Sequence, residues 1–89
     1  MIYTRLDIND AVLCEPKMNN DDRGMVYESY KKKSLDDFLG YKTNLCQDNI
    51  LYSKYGVIRG LHTNTVNFAQ SKLVSVLKGK ILDVIVTLD

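Results

Sequence analysis

The segment from Lys72 to Leu88 restricts the fold more than any other. Lys72-Leu73-Val74-Ser75-Val76-Leu77 and Ile81-Leu82-Asp83-Val84-Ile85-Val86-Thr87-Leu88 flank Lys78-Gly79-Lys80, and two β-branched runs broken by a glycine turn predict a hairpin. Apolar residues stand on both faces of these strands, so both faces must be covered. Residues 44–50 read as a further strand, in which Gln47 and Asn49 are two apart and project from the same face. Closer to the start, Ala11-Val12-Leu13-Cys14 precedes the lone proline, Pro16, and suits an edge strand. Asn19-Asn20-Asp21-Asp22-Arg23-Gly24 has the composition of a loop or tight turn, and Met25-Val26-Tyr27-Glu28-Ser29-Tyr30 that of the strand it feeds.

Between these runs lies a single helical signal. Ser34 is placed to cap, Asp36 and Asp37 to sit in a first turn, and Gly40 to end the helix, which predicts a short helix near residues 34–39. Strands at short intervals with one small helix imply an all-β sandwich or barrel rather than alternating βαβ units. The 89 residues have room for one domain, spanning 1–89. A closed barrel requires more strands than these, and the final apolar strand would be left as an exposed edge. The expectation is a truncated domain or a chain that pairs with a partner.

Charge and cysteine content exclude several function classes. The 12 Lys and Arg against 11 Asp and Glu leave a net charge of +1, too little to draw nucleic acid or an anionic membrane to the chain as a whole. An anionic ligand must be held by a local cluster. Lys31-Lys32-Lys33 could be such a phosphate site, but a solvated loop face is the simpler reading. No apolar run has the length of a membrane span, and the first residues are too polar for a signal peptide. Cys14 and Cys46 lack ligand spacing and are read as free thiols of a reducing compartment, the cytoplasm. There is no glycine-rich phosphate loop and no Gly-x-Ser-x-Gly elbow. One histidine cannot supply a cupin-type metal set, so no metal is expected.

Three residues stand out chemically. His62 closes Gly56-Val57-Ile58-Arg59-Gly60-Leu61-His62, where glycines permit bends or close ligand approach; a lone histidine is more often a partly buried structural residue than a base. Lys72 opens an apolar strand, where a lysine can also snorkel to solvent. Asp83 lies between Leu82 and Val84 and needs partners if buried. A two-residue turn at Gly79 and Lys80 places Asp83 opposite Val76, on the face of Lys72; a three-residue turn places it opposite Ser75, away from Lys72.

Taken in order, Asp22-Arg23-Gly24, Glu28-Ser29-Tyr30, Cys46-Gln47-Asp48-Asn49, the segment ending at His62, Ala69-Gln70-Ser71-Lys72-Leu73-Val74 and Gly79-Lys80-Ile81-Leu82-Asp83-Val84 resemble the dTDP-4-dehydrorhamnose 3,5-epimerase family over nearly the whole chain. The resemblance implies a cupin-type jelly roll, or double-stranded β-helix, of which this is the N-terminal half. It further implies a homodimer and a cofactor-independent epimerisation at C3 and C5 of a dTDP-linked 4-keto-6-deoxy sugar. It casts His62 as the proton-abstracting base and Lys72 as the group that stabilises the enolate oxygen. Arg59, Gln47 and Asn49 become ligand contacts, Arg23 and Glu28 nucleotide contacts, and Asp83 a supporting residue. The sequence departs from the family at Thr63-Asn64, where Tyr-Gln is usual, and at Met25-Val26, where an aromatic is usual. The family's later half, with the aspartate that orients the base and the tyrosine that returns the proton, has no counterpart in these residues. Alternative readings are a single-centre epimerase and a non-catalytic half-cupin that binds a nucleotide sugar or a partner chain.

Overall fold

In the computed structural model, which describes residues 1–8, 10–63 and 71–87, every assigned strand and helix lies in the first 40 residues. Strands β1 (Ile2–Arg5) and β2 (Val12–Glu15) pair antiparallel, with Tyr3 opposite Cys14 and Arg5 opposite Val12. The reversal between them is closed by the Leu6 N–H donating to the Ala11 carbonyl at 2.9 Å. Asp10 takes a φ of 65° there, a left-handed conformation that aspartate accepts better than most residues because its short side chain can hydrogen-bond locally.

Strands β3 (Asn19–Asp21) and β4 (Gly24–Val26) form a second hairpin, with Asp21 opposite Gly24 across a turn of Asp22 and Arg23. The expected turn is therefore present, but four of the six residues assigned to it, Asn19, Asn20, Asp21 and Gly24, are strand, and the strand it feeds stops at Val26 rather than at Tyr30. Asp21 explains the tightness. Its carboxylate accepts the Arg23 N–H at 2.9 Å and so closes a side-chain turn over the reversal.

Helix α1 (Lys32–Leu39) starts two residues earlier than residue 34, with Lys31 as its N-cap and no side-chain cap. Ser34 is thus inside the helix, and Asp36 and Asp37 lie beyond its first turn. The reason is visible in the pairing: Lys32 Nζ bonds Asp36 at 2.5 Å and Lys33 Nζ bonds Asp37 at 3.0 Å, each four residues apart. Such i,i+4 pairs require the lysines to be helical too. Gly40 ends the helix as expected, at φ 83°, its N–H donating to the Asp36 carbonyl.

The chain divides into two compact units, Met1–Thr43 with Leu82–Asp89, and Asn44–Ile81. In the first, Tyr3 stacks on Phe38 with ring centroids 5.3 Å apart, and the Arg5 guanidinium lies 5.0 Å from the same ring. Arg5 Nη2 also points to the carbonyls of Phe38 and Leu39 at 3.4 and 3.5 Å. Helix α1 has no basic residue in its own last turn, and Arg5 supplies from β1 the positive charge that its C-terminal carbonyls favour. Leu35 is the buried hydrophobic residue of this layer, at 8% exposure.

The expected strand at 44–50 and the hairpin at 72–88 are not in hydrogen-bonded ladders among the described residues. A bend at residues 77–79, with Gly79 at φ 95°, is present where the turn was expected, but neither register for Asp83 is formed. Pairing of such segments is driven by covering their apolar faces, and here those faces are open: Ile50 is 87% and Leu82 90% exposed. The architecture is small antiparallel sheets with one short helix. Asn64, Ala69 and Gln70 of the family motifs, and Leu88 and Asp89 at the end, lie outside the described residues.

Candidate active site

The unit Asn44–Ile81 holds Gln47, Asn49, Arg59, His62 and Lys72. Gln47 Nε2 donates to Asn49 Oδ1 at 3.3 Å, so the two amides meet as their spacing predicts. That bond takes one donor from Gln47 and the acceptor oxygen of Asn49. The Gln47 oxygen remains an acceptor and the Asn49 amino group a donor, both on exposed residues.

Arg59 is reached through a tight reversal. The Val57 N–H donates to the Lys54 carbonyl at 3.2 Å, and Gly56 stands at φ 84°. A positive φ at the third residue of such a turn selects glycine. The reversal returns the chain so that Arg59 Nε donates to Ser53 Oγ at 3.0 Å. His62 follows on an exposed stretch. Gly60, at φ 106°, is its close neighbour: a Cβ added there would stand 3.4 Å from His62 N and 3.5 Å from His62 Nδ1. Lys72 is exposed, and no hydrogen bond joins it to His62 among the described residues.

Arg23, Glu28 and Asp83 belong to the other unit. Arg23 is bound to Asp21, with Nη2 2.6 Å and Nε 3.3 Å from Oδ2. The guanidinium holds the Asp21 carboxyl below its usual range. An incoming phosphate must compete with this carboxylate for the guanidinium. Glu28 is exposed, and its charge helps to raise the Tyr3 phenol pKa, behind burial of that phenol and the field of Cys14. Asp83 is exposed, so it faces none of the partner requirement that burial would impose.

The lysine run is resolved in favour of a solvated helix face. Lys32 and Lys33 pair with Asp36 and Asp37, and all four line one shallow groove with Gly40, Tyr41 and Lys42. Both cysteines are free thiols, Cys14 half-buried and Cys46 exposed. No cluster of three His, Cys, Asp or Glu side chains occurs among the described residues. Within the same residues no helix is long and apolar enough to cross a membrane. Ser53 and Tyr3 were not anticipated. Ser53 has a sequence signal only in hindsight, a hydroxyl three residues before the turn glycine Gly56.

Residues 5–89 match the family model of dTDP-4-dehydrorhamnose 3,5-epimerase. The chain belongs to this family. The dTDP-4-dehydrorhamnose 3,5-epimerase of Escherichia coli (strain K12) is 40% identical over 86 residues, which cover 97% of this chain and 46% of that protein. That of Pseudomonas aeruginosa is 42% identical over 88 residues, covering 99% of this chain and 48% of the relative. A more distant epimerase of this name, from Methanothermobacter thermautotrophicus, is 34% identical over 86 residues, with 97% and 45% covered. The chain therefore spans about half the length of the curated epimerases it matches. No solved structure matches it. All eight residues singled out as site candidates fall inside the range matched to the epimerase family.

Proposed function

We propose that this chain forms part of a cofactor-independent epimerase that inverts C3 and C5 of a dTDP-linked 4-keto-6-deoxy sugar. The observation that carries the reading is the family match over residues 5–89, which embraces His62, Lys72, Arg59, Gln47 and Asn49. His62 accepts a proton from the carbon next to the C4 ketone, and the electron pair of the broken C–H bond moves onto the ketone oxygen. The Lys72 ammonium stabilises that enolate oxygen, a contribution that is largest where water is excluded. A neutral imidazole suits the task because its proton affinity lies near working pH. Return of a proton to the opposite face inverts the carbon. The group that returns it belongs to the remaining length of the relatives' chains.

Binding is assigned to the exposed polar groups. Arg59 holds an anionic oxygen pair of the diphosphate, and Gln47 with Asn49 offers a donor and an acceptor to the ligand. Arg23 and Glu28 contact the nucleotide, and Asp83 plays a supporting part. The assembly is a homodimer of cupin-type jelly rolls in the cytoplasm, in which further chain covers the open apolar faces. The correspondence to an N-terminal portion fits the share of the relatives that the chain covers.

A second reading is favoured by that same coverage and by the solvent exposure of His62: a half-cupin that binds a nucleotide sugar or a partner chain without turnover. Incubation with dTDP-4-keto-6-deoxyglucose in deuterated water separates the two. Deuterium entering C3 or C5, and absent with His62→Ala, supports the epimerase; entry at one centre alone marks a single-centre enzyme. Binding without exchange supports the half-cupin. Exchange that survives His62→Ala sinks the assignment of the base.

A further inference from the structure

We propose that Ser53 is a positioning residue for Arg59, which commits the guanidinium to bidentate recognition of an anion through its terminal edge. The proposal rests on the reading of Arg59 as an anion contact and names the group that aims it. A guanidinium offers two donor edges to a pair of oxygens, one of Nε with a terminal nitrogen and one of both terminal nitrogens. Arg59 Nε donates to Ser53 Oγ at 3.0 Å, so the first edge is already engaged and the second is left for a ligand. The turn makes this possible. Lys54 O accepts from Val57 N at 3.2 Å, and Gly56 at φ 84° reverses the chain, bringing residues six apart within hydrogen-bond reach. An arginine at an exposed site otherwise distributes itself among many rotamers, and ordering it on ligand binding carries an entropic cost. Ser53 reduces that cost in the free protein.

The ligand-free test is nitrogen-15 NMR of the arginine Nε–H signals in the 89-residue chain. Arg59 Nε–H exchanges slowly with water in the unsubstituted chain and in Ser53→Thr, and at the rate of a solvated arginine in Ser53→Ala. Equal exchange in the unsubstituted chain and Ser53→Ala overturns the proposal. The ligand test is calorimetric titration with dTDP. Ser53→Ala weakens binding by about threefold to tenfold, the range for one hydrogen bond, and Ser53→Thr restores it. In an Arg59→Gln background, Ser53→Ala has no further effect, because the group it positions is gone. Additive losses overturn the proposal even if the NMR signature is present. Failure of the unsubstituted chain to bind dTDP, with slow Nε–H exchange intact, instead overturns the reading of Arg59 as a nucleotide-sugar contact.

Discussion

Gly56 and Gly60 show how much of the site depends on single backbone torsions. Nothing lies within 4 Å of a Cβ built on Gly56, whose φ is 84°, so Gly56→Ala meets no steric clash and its penalty is purely conformational. A left-handed alanine costs about 1 kcal/mol or more. The expected result is roughly fivefold faster hydrogen exchange at the Val57 amide, which closes the turn; unchanged exchange there would show that the reversal does not need the glycine. Gly60, at φ 106°, carries a conformational penalty too, but an added Cβ there would also touch His62 at ordinary van der Waals distance. Gly60→Ala is expected to shift the His62 ring resonances, whereas Gly56→Ala leaves them in place. The pairing of Gln47 with Asn49 was legible in the sequence because residues two apart share a face whenever the chain is extended. Ser53 was not, since a contact across six residues exists only for one turn geometry. Asp21 was illegible for a related reason: its bond to Arg23 depends on a two-residue reversal that composition places only loosely.

At the scale of the element, α1 is held by a ring of polar contacts at its exit. Asp36 Oδ1 accepts from the Thr43 N–H at 2.9 Å and from Thr43 Oγ1 at 2.6 Å, while Lys32 Nζ bonds both Asp36 Oδ2 at 2.5 Å and the Thr43 carbonyl at 2.7 Å. Lys32 and then Thr43 lower the Asp36 pKa from 3.8 to about 2. A carboxyl with a depressed folded-state pKa contributes stability that is fully present above 3.8 and is lost as pH falls through about 2. Helicity of α1, followed by circular dichroism, is therefore expected to fall between those pH values, and Asp36→Asn to flatten that part of the profile. A profile identical in Asp36→Asn would assign the acid transition to another group. Leu35→Ala removes the buried apolar contact beneath the helix and is expected to cost about 2 kcal/mol, the low end for a core leucine, measured as loss of helicity in urea. The end of the helix was legible from Gly40. Its start was misplaced because Ser34 is a good cap in isolation, whereas the Lys32–Asp36 and Lys33–Asp37 pairs extend the helix past it.

For the whole molecule, burial within the chain is the deciding quantity. Leu35 is the one buried hydrophobic side chain among the described residues. Burying a leucine contributes about 2 kcal/mol, against about 1–2 kcal/mol of backbone entropy for every residue ordered. Meanwhile Ile58 is 91%, Leu77 75% and Ile81 60% exposed. The chain thus depends on apolar cover from outside these residues. Sedimentation across a wide concentration range is expected to show mass rising above that of a monomer, with binding of a hydrophobic dye falling in parallel. A strictly monomeric chain with a sharp cooperative melt would contradict this. The all-β character was legible from the strand-like runs. Which of those runs pair was not, because pairing requires a covering surface that the pattern demands without specifying.

The ring at Lys32, Asp36 and Thr43 also bears on the order of events during folding. Its longest link joins residues 11 apart, and a loop of that size closes on the order of 100 ns. No apolar partner surface is needed for it. Helix α1 and its exit can therefore form while the chain is still emerging from the ribosome, before the aggregation-prone segments after residue 44 have met whatever shields them. The polar exit of the helix thus joins the two N-terminal hairpins, which emerge before it, as structure open to the nascent chain without the later apolar segments.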